Sequence, residues 1–205
     1  MSLVLELQKE IIDNTISGID TLRKAYAISR KLAINNMSEW LNNELNGYKD
    51  MNEIPEYRNI NGIIEAFNPF YGWCPVGFDD IEVEDTFSNL RINNPISELE
   101  KMIEKSEEGM IYLDTTGTIN LRNELQVKIR FKTSVPAFSK IVDIVKNMIL
   151  EWTLELEKNG ILGKEMTFSA EEKEKSQQIV SINISGGNNV INSEGAKQFL
   201  ENEIK

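Results

Sequence analysis

The sequence predicts an α+β protein, in which an N-terminal helical unit and a long C-terminal helix pack on a small, mostly antiparallel sheet. Two patterns in the 205-residue chain support this class. Residues 2–47 and 134–159 carry apolar side chains at helical spacing, and residues 127–133 alternate apolar with charged side chains. A chain of this length buries roughly 70% of its extended surface, so it is long enough to form a substantial core.

The first third of the chain is predicted to form three helices with short breaks. Ser2 occupies an N-cap position, Thr15 or Ser17 starts the second helix, and Asn35–Asn36 separates the second helix from the third. Gly47 is a natural helix end because glycine adopts left-handed backbone freely. The predicted inward positions are Leu3, Leu7, Ile11, Ile19, Leu22, Tyr26, Leu32, Met37, Trp40, Leu41 and Leu45.

Strands and further helices follow. Residues 60–67 predict a strand, and an aromatic loop with a return strand comes next. Asn94–Pro95 starts another helix, residues 110–113 indicate a strand, and Thr116–Gly117 indicates a turn. The helix opened by Ser134 and Pro136 has an almost continuous apolar stripe, so we predict that it is the core helix on the sheet. Its stripe comprises Phe138, Ile141, Val142, Val145, Met148, Ile149, Trp152 and Leu156.

Composition changes divide the chain into three parts. We predict an α+β domain over residues 1–163, a charged helical linker over 164–178, and a β-hairpin plus short helix over 179–205. An isolated two-stranded hairpin is marginal in water, so this hairpin needs a partner, which is either its own domain or further copies of itself. We favour self-association, since Asn- and Gly-rich strands stack well. The predicted oligomerisation residues are Val180, Ile182, Ile184, Asn188, Val190 and Ile191.

Composition also excludes several kinds of site. The chain has no histidine, which excludes Ser-His-Asp and Cys-His catalysis and every histidine-bound metal site. Its single cysteine, Cys74, has no histidine to activate it, and we expect a packed thiol. The net charge of −11 disfavours nucleic acid and anionic membranes. With no signal peptide or apolar span, we expect a cytoplasmic protein with no catalytic residue, cofactor or metal.

An acidic run offers one candidate site. It comprises Asp79, Asp80, Glu82, Glu84 and Asp85. Paired carboxylates can hold Mg²⁺ for phosphoryl chemistry. In a strand, however, Glu82 and Glu84 would stand together in solvent, so we favour a solvated charge run over a metal site.

The aromatic loop from Asn68 to Pro75 is a second candidate site. Its glycine and proline fix the backbone, and its aromatic rings provide stacking area for a ligand. Gly72 and Trp73 are its candidate binding residues. A ligand pocket is one interpretation, but we favour a loop that caps the sheet with buried rings.

The second helix is locally basic, and we favour ion pairs within the chain over RNA contact. Its cations are Arg23, Lys24, Arg30 and Lys31.

A spaced motif resembles the AbiTii domain family of bacteria, and the resemblance covers roughly residues 2–90. The motif comprises Trp40, Glu44, Tyr48, Tyr57 and Arg58. The tail from Ile182 to Ile191 is similar to Gly/Asn strands appended to various bacterial conflict proteins. We expect Trp40 and Tyr48 to be buried on the sheet and Glu44 to pair with Arg58, as a structural pair with no activity implied.

The resemblance implies a setting of abortive infection, which is a form of antiphage defence. We interpret the chain as a non-enzymatic module of such a system, or of a toxin–antitoxin-like one, acting as sensor, adaptor or assembly scaffold. Its expected partners are further copies of itself and a protein or phage-derived trigger. The alternative is a carboxylate-dependent effector enzyme such as a nuclease, which needs the acidic run to converge with another carboxylate in a cleft.

Overall fold

The computed structural model describes residues 2–120 and 126–178. These residues form seven α-helices and two antiparallel sheets, which confirms the predicted α+β class. The helices are α1 (Leu3–Ile12), α2 (Gly18–Leu32), α3 (Asn35–Asn46), α4 (Ile81–Ser88), α5 (Ile96–Glu104), α6 (Val135–Lys158) and α7 (Ala170–Gln178). The strands are β1 (Asn59–Asn61), β2 (Ile63–Asn68), β3 (Gly72–Pro75), β4 (Asn89–Arg91), β5 (Met110–Asn120) and β6 (Gln126–Ser134). None of the helices in these two ranges is long and apolar enough to cross a membrane.

Serine caps start the first two helices as predicted. Ser2 Oγ accepts a hydrogen bond from the Leu5 amide (3.3 Å), and Ser17 Oγ accepts one from the Asp20 amide (3.2 Å). Gly47 ends α3 with φ of 84°, a value that favours glycine.

The buried stripe of α2 is rotated slightly from the predicted one. Leu22 and Leu32 are buried as expected, and Ile28 lies with them. The predicted inward residues Ile19 and Tyr26 are instead only partly buried, at the edge of the stripe. The prediction was wrong there because it favoured the larger side chains, while the core accommodates the small Ala25 at the contact.

The main sheet has the order β3-β2-β6-β5, and β1 pairs with β4 in a separate two-stranded sheet. All pairs are antiparallel. The predicted turn at Thr116–Gly117 is wrong, because β5 continues to Asn120. The β5–β6 register instead shifts between Asp114 and Thr118. A shift of this kind lets a glycine-containing segment remain within a strand.

Helix α6 is the centre of the core, as its apolar stripe predicts. It contacts α1, α2, α5 and β6, and every position of the predicted stripe is buried. The face of the sheet that joins this core carries Ile64, Ile129 and Phe131. At the junction of β1 and β2, a Cβ on Gly62 would lie 2.4 Å from the Phe131 ring, so only glycine fits this close approach.

Helix α7 is held against the domain by contacts at both of its ends. Ser169 and Glu172 form a capping box, with the Ser169 amide 2.8 Å from Glu172 Oε2 and the Glu172 amide 3.2 Å from Ser169 Oγ. At the other end, Ser176 Oγ and Gln177 Nε2 donate to the Leu32 carbonyl at 3.1 and 2.9 Å. These contacts satisfy the C-terminal end of α2.

The core extends past the predicted domain end at Gly163, because the buried Phe168 belongs to it. The Glu172 carboxylate also accepts from the Leu162 and Gly163 amides, at 3.0 and 2.8 Å. Partial burial opposes the charged form of Glu172, but these backbone hydrogen bonds outweigh it and lower its pKa. The predicted hairpin and last helix, residues 179–205, lie outside the described residues.

Candidate functional site

The motif residues meet in one buried network centred on the Glu44 carboxylate. Glu44 Oε1 accepts from the Tyr48 and Tyr57 hydroxyls, each at 2.6 Å, and from Arg58 Nε at 3.0 Å. Its second oxygen pairs with Arg58 Nη2. The Tyr57 hydroxyl in turn accepts from Trp40 Nε1 at 2.9 Å. The predicted Glu44–Arg58 pair is therefore confirmed. Trp40 and Tyr48 are buried, but α3, which carries Trp40, packs mainly against α2 and α5 and not on the sheet as expected.

Arg58 extends this network to a third stretch of chain. Its Nη1 donates to the carbonyls of Ile92 and Asn94, at 3.0 and 2.8 Å. Its guanidinium also lies 5.0 Å from the centre of the Tyr48 ring. The network thus joins α3, the turn Glu56–Arg58 and the segment between β4 and α5.

The electrostatics of the network favour one protonation state. Burial raises the pKa of Tyr48 and Tyr57 far above the ordinary value, and the Glu44 charge raises both further. Both phenols therefore stay protonated and donate. Burial opposes the charge on Arg58, but the Glu44 carboxylate outweighs it and raises the pKa of Arg58.

This arrangement holds the fold together. The side chains of Glu44 and Arg58 are 0% exposed, and their polar atoms are bonded to other groups of the chain. A carboxylate and a guanidinium that are enclosed in this way have no surface to offer a substrate. The geometry matches the structural role expected for the pair.

The hairpin that connects β2 and β3 differs from its predicted form. Phe70 and Tyr71 are 90% and 83% exposed, so the favoured interpretation of buried rings is wrong for these two. The Asn68 side-chain oxygen accepts from the amides of Phe70 (2.9 Å) and Tyr71 (3.3 Å), and Gly72 closes the turn with φ of 78°. This short turn projects both rings beyond the sheet, where no core can cover them. We call Phe70 and Tyr71 the hairpin tip.

Trp73 lies next to this tip, on the face of the main sheet that points away from α6. The Arg130 guanidinium lies between two rings there, 4.3 Å from the centre of Trp73 and 4.0 Å from that of Tyr112. It also bonds Glu65, with Nε 2.7 Å and Nη2 2.6 Å from Oε2. Strand alternation and register place further residues on this face, which we call the open face. Its residues are Ile63, Glu65, Phe67, Trp73, Tyr112, Asp114, Lys128, Arg130 and Lys132.

The centre of the open face could not be predicted from the sequence. The alternation of Lys128, Arg130 and Lys132 correctly indicated a strand with one exposed face. It could not show that β2 brings Glu65 opposite Arg130, or that β5 brings Tyr112 opposite Lys132. Strand order depends on long-range pairing, which leaves no local signal in the sequence.

The acidic run lies at the start of a helix, so the expectation of a strand is wrong here. Asp80 caps α4, and its side chain accepts from the Glu82 amide at 2.9 Å. Carboxylates in the first turn stabilise the positive end of the helix, which accounts for this run locally. Across the described residues, no group of three or more Asp, Glu or Cys side chains is arranged to hold a metal ion.

Two of the four basic residues of α2, Lys24 and Arg23, form the predicted kind of ion pair within the chain, whereas Arg30 contacts a phenol. Lys24 pairs with Glu10, and Arg23 Nη1 lies 3.4 Å from Asp20 Oδ1. Arg30 donates to the Tyr26 hydroxyl at 3.3 Å.

We expect Cys74→Ser to leave biological activity unchanged, because the chain has no histidine that could activate the thiol. Cys74 is partly buried in β3, and its Sγ lies 3.7 Å from the Gly72 carbonyl. Phage plating with this variant, together with its melting temperature, tests the expectation. A folded Cys74→Ser protein without activity would contradict the non-catalytic interpretation.

Comparison with protein families gives one match. The family model described as AbiTii matches residues 2–181, which include the whole motif network and the open face. Comparisons with curated proteins and with solved structures gave no match. The family model covers most of the length of the chain. The chain therefore belongs to the AbiTii family of abortive-infection domains, and this membership indicates a component of a bacterial abortive-infection system.

Proposed function

We propose that this chain is a non-enzymatic component of a cytoplasmic abortive-infection system, acting as sensor, adaptor or scaffold through self-association and partner binding. The observation that carries the proposal is the hairpin tip, where Phe70 and Tyr71 are exposed on a turn fixed by Asn68. The partner is a protein, either of the defence system or derived from the phage.

Physical chemistry favours such a tip as a binding element. Rigid aromatic side chains dominate the binding energy of protein interfaces, since they bury much apolar area and lose little entropy. Exposed aromatic rings lower the solubility of a protein. Burial of the two rings of the hairpin tip by a partner is therefore favourable. The motif network contributes differently, by holding fixed the domain that presents the tip.

The double substitution Phe70→Ser and Tyr71→Ser tests partner binding. In cells protected against a phage by this chain and its neighbouring genes, the variant should lose protection while its melting temperature stays that of the wild type. Ile12→Ser is a matched control, because Ile12 is 67% exposed on α1, away from the tip. Full protection by the double variant would rule out the tip as the binding element.

Self-association is the second part of the proposal and rests on residues 179–193. The sequence alternates Val180, Ile182 and Ile184 with polar residues, and strands of this kind expose unpaired backbone groups at their edges. Pairing between copies would satisfy these groups. Closed symmetry is the usual outcome for a soluble assembly.

Light scattering on the full chain and on a chain that ends at Gln178 measures this contribution. Ending at Gln178 keeps the core contacts of Phe168 and Ser176, so both chains should fold. We expect the full chain to form larger assemblies than the shortened chain, and Ile182→Asp with Ile184→Asp to reduce them to the size of those of the shortened chain. Ser181→Asp with Asn183→Asp adds the same charge at the polar positions and should preserve assembly.

Salt provides an additional criterion. Because the chain carries a net charge of −11, copies repel one another, and assembly through the tail should tighten as salt rises. Equal size of the full and shortened chains at micromolar concentration would show that the tail does not drive assembly.

A further inference from the structure

The open face has the features of a preformed binding surface. Its centre is the Arg130 guanidinium held between Trp73 and Tyr112 and fixed by Glu65. Arg, Trp and Tyr are the residue types most enriched in interface hot spots. Because these groups are already ordered, a partner that covers them loses little additional entropy.

The open face differs in charge from the rest of the chain. It carries three cations, Lys128, Arg130 and Lys132, against two carboxylates, Glu65 and Asp114, which gives a local charge of +1. Glu65 already pairs with both Arg130 and Lys132, at 2.6 and 3.4 Å. The whole chain has a net charge of −11. Complementary potential therefore favours an acidic partner on this face.

Helix α4 supplies an acidic surface of that kind. Five carboxylates lie within residues 79–85, and no residue of α4 is buried. Three of its apolar side chains are exposed: Ile81 by 76%, Val83 by 39% and Phe87 by 42%. Phe87 stacks on Phe78 with ring centres 5.3 Å apart, which anchors the helix without covering these side chains.

We propose that α4 of one copy docks on the open face of a second copy, head to tail. Ile81 then covers Phe67 and Trp73, while Glu84 and Asp85, which share its side of the helix, meet Lys128. Such a contact uses two different surfaces of each molecule, so it grows into a ring or a filament. The inference rests on the proposed self-association, and it adds a second contact, made by described residues, to the one proposed for residues 179–193.

Two complementary variants of the chain ending at Gln178 test the contact. Phe67→Glu with Lys128→Glu damages the open face, and Ile81→Lys with Glu84→Lys damages one side of α4. Sedimentation of the shortened chain should show concentration-dependent association, which each variant weakens more than about tenfold, as expected for lost hot-spot contacts. The control variant Leu154→Glu with Lys140→Glu also replaces one apolar residue and one lysine by glutamate, at exposed sites on α6. This control should associate like the unsubstituted chain.

Mixing the two variants in equal amounts gives the sharpest result. Each keeps one intact surface, so the mixture should form a heterodimer and nothing larger, whereas each variant alone stays monomeric. Rising salt should weaken this association, because local attraction drives it, whereas assembly through the tail should tighten. Melting temperatures equal to that of the unsubstituted chain verify that the variants fold.

The results separate this inference from the proposed function. If the full chain assembles while the chain ending at Gln178 stays monomeric, the tail drives assembly and the docking of α4 is wrong. If the shortened chain is monomeric and binds a labelled single-stranded oligonucleotide, and Phe67→Glu with Lys128→Glu abolishes this binding, the open face serves nucleic acid and the inference falls. A heterodimer from the mixed variants establishes it.

Discussion

Arg58→Met should lower the free energy of unfolding by roughly 3–5 kcal/mol, because it leaves a buried charge without its partner. Glu44 would keep two phenol donors but lose both guanidinium contacts. The carbonyls of Ile92 and Asn94 would lose their donor as well. Chemical denaturation monitored by circular dichroism measures the change, and the slope should stay constant if the native state remains compact.

A double-mutant cycle separates the unpaired charge from the lost packing. Glu44→Gln alone should also destabilise, since it strands the guanidinium, but combining it with Arg58→Met should cost less than the sum. Arg23→Met is the exposed control: its ion pair with Asp20 is solvated, so stability should change by less than about 0.5 kcal/mol. Additive effects of Glu44→Gln and Arg58→Met would contradict a coupled buried pair.

The buried network around Glu44 affects function by fixing the chain segments that lead to the hairpin tip. It fixes the end of α3 to the segment that enters β1, and β1 leads through Gly62 directly into β2 and the hairpin tip. Loosening Arg58 would therefore loosen the base from which the tip projects. A variant that folds but loses protection would thus not identify a catalytic residue, and stability must be measured beside activity.

Local patterns predicted six of the seven described helices and most strands, because the causes of these elements are local. Ser2 and Ser17 cap their helices with their own side chains, and the stripe of α6 repeats at helical spacing over its full length. The Glu44–Arg58 pair was also predictable, from the resemblance together with the rule that a buried charge needs a partner. Tyr57 is a further part of the network whose two hydrogen bonds were not predicted.

The wrong or missing predictions concern features that depend on a single cap, on turn geometry or on strand order, and not on a repeating local pattern. Asp80 starts a helix where alternation of acidic residues indicated a strand, and a cap of one side chain decides between the two. The aromatic rings of the hairpin tip were expected inside because aromatic residues are usually buried, whereas turn geometry places Phe70 and Tyr71 outside. The open face needed strand order, which the sequence does not encode locally.

Trp152→Ala should cost roughly 3–5 kcal/mol of unfolding free energy, because it removes a large buried side chain from the centre of the core. Trp152 is 2% exposed on α6, and α6 contacts three other helices and the main sheet. Because the core around α6 is built from several elements, we expect its side chains to fill the space only in part. That loss is a large fraction of the roughly 5–15 kcal/mol that stabilises a typical domain.

Leu154→Ala is the matched control, two positions along the same helix. Leu154 is 42% exposed, so its truncation leaves no enclosed cavity and alanine favours the helix. We expect a denaturation midpoint close to that of the wild type for Leu154→Ala and a strongly lowered one for Trp152→Ala. Similar midpoints for the two variants would show that α6 does not bury its stripe in the core, and the face that presents Trp152 would then belong to an interface.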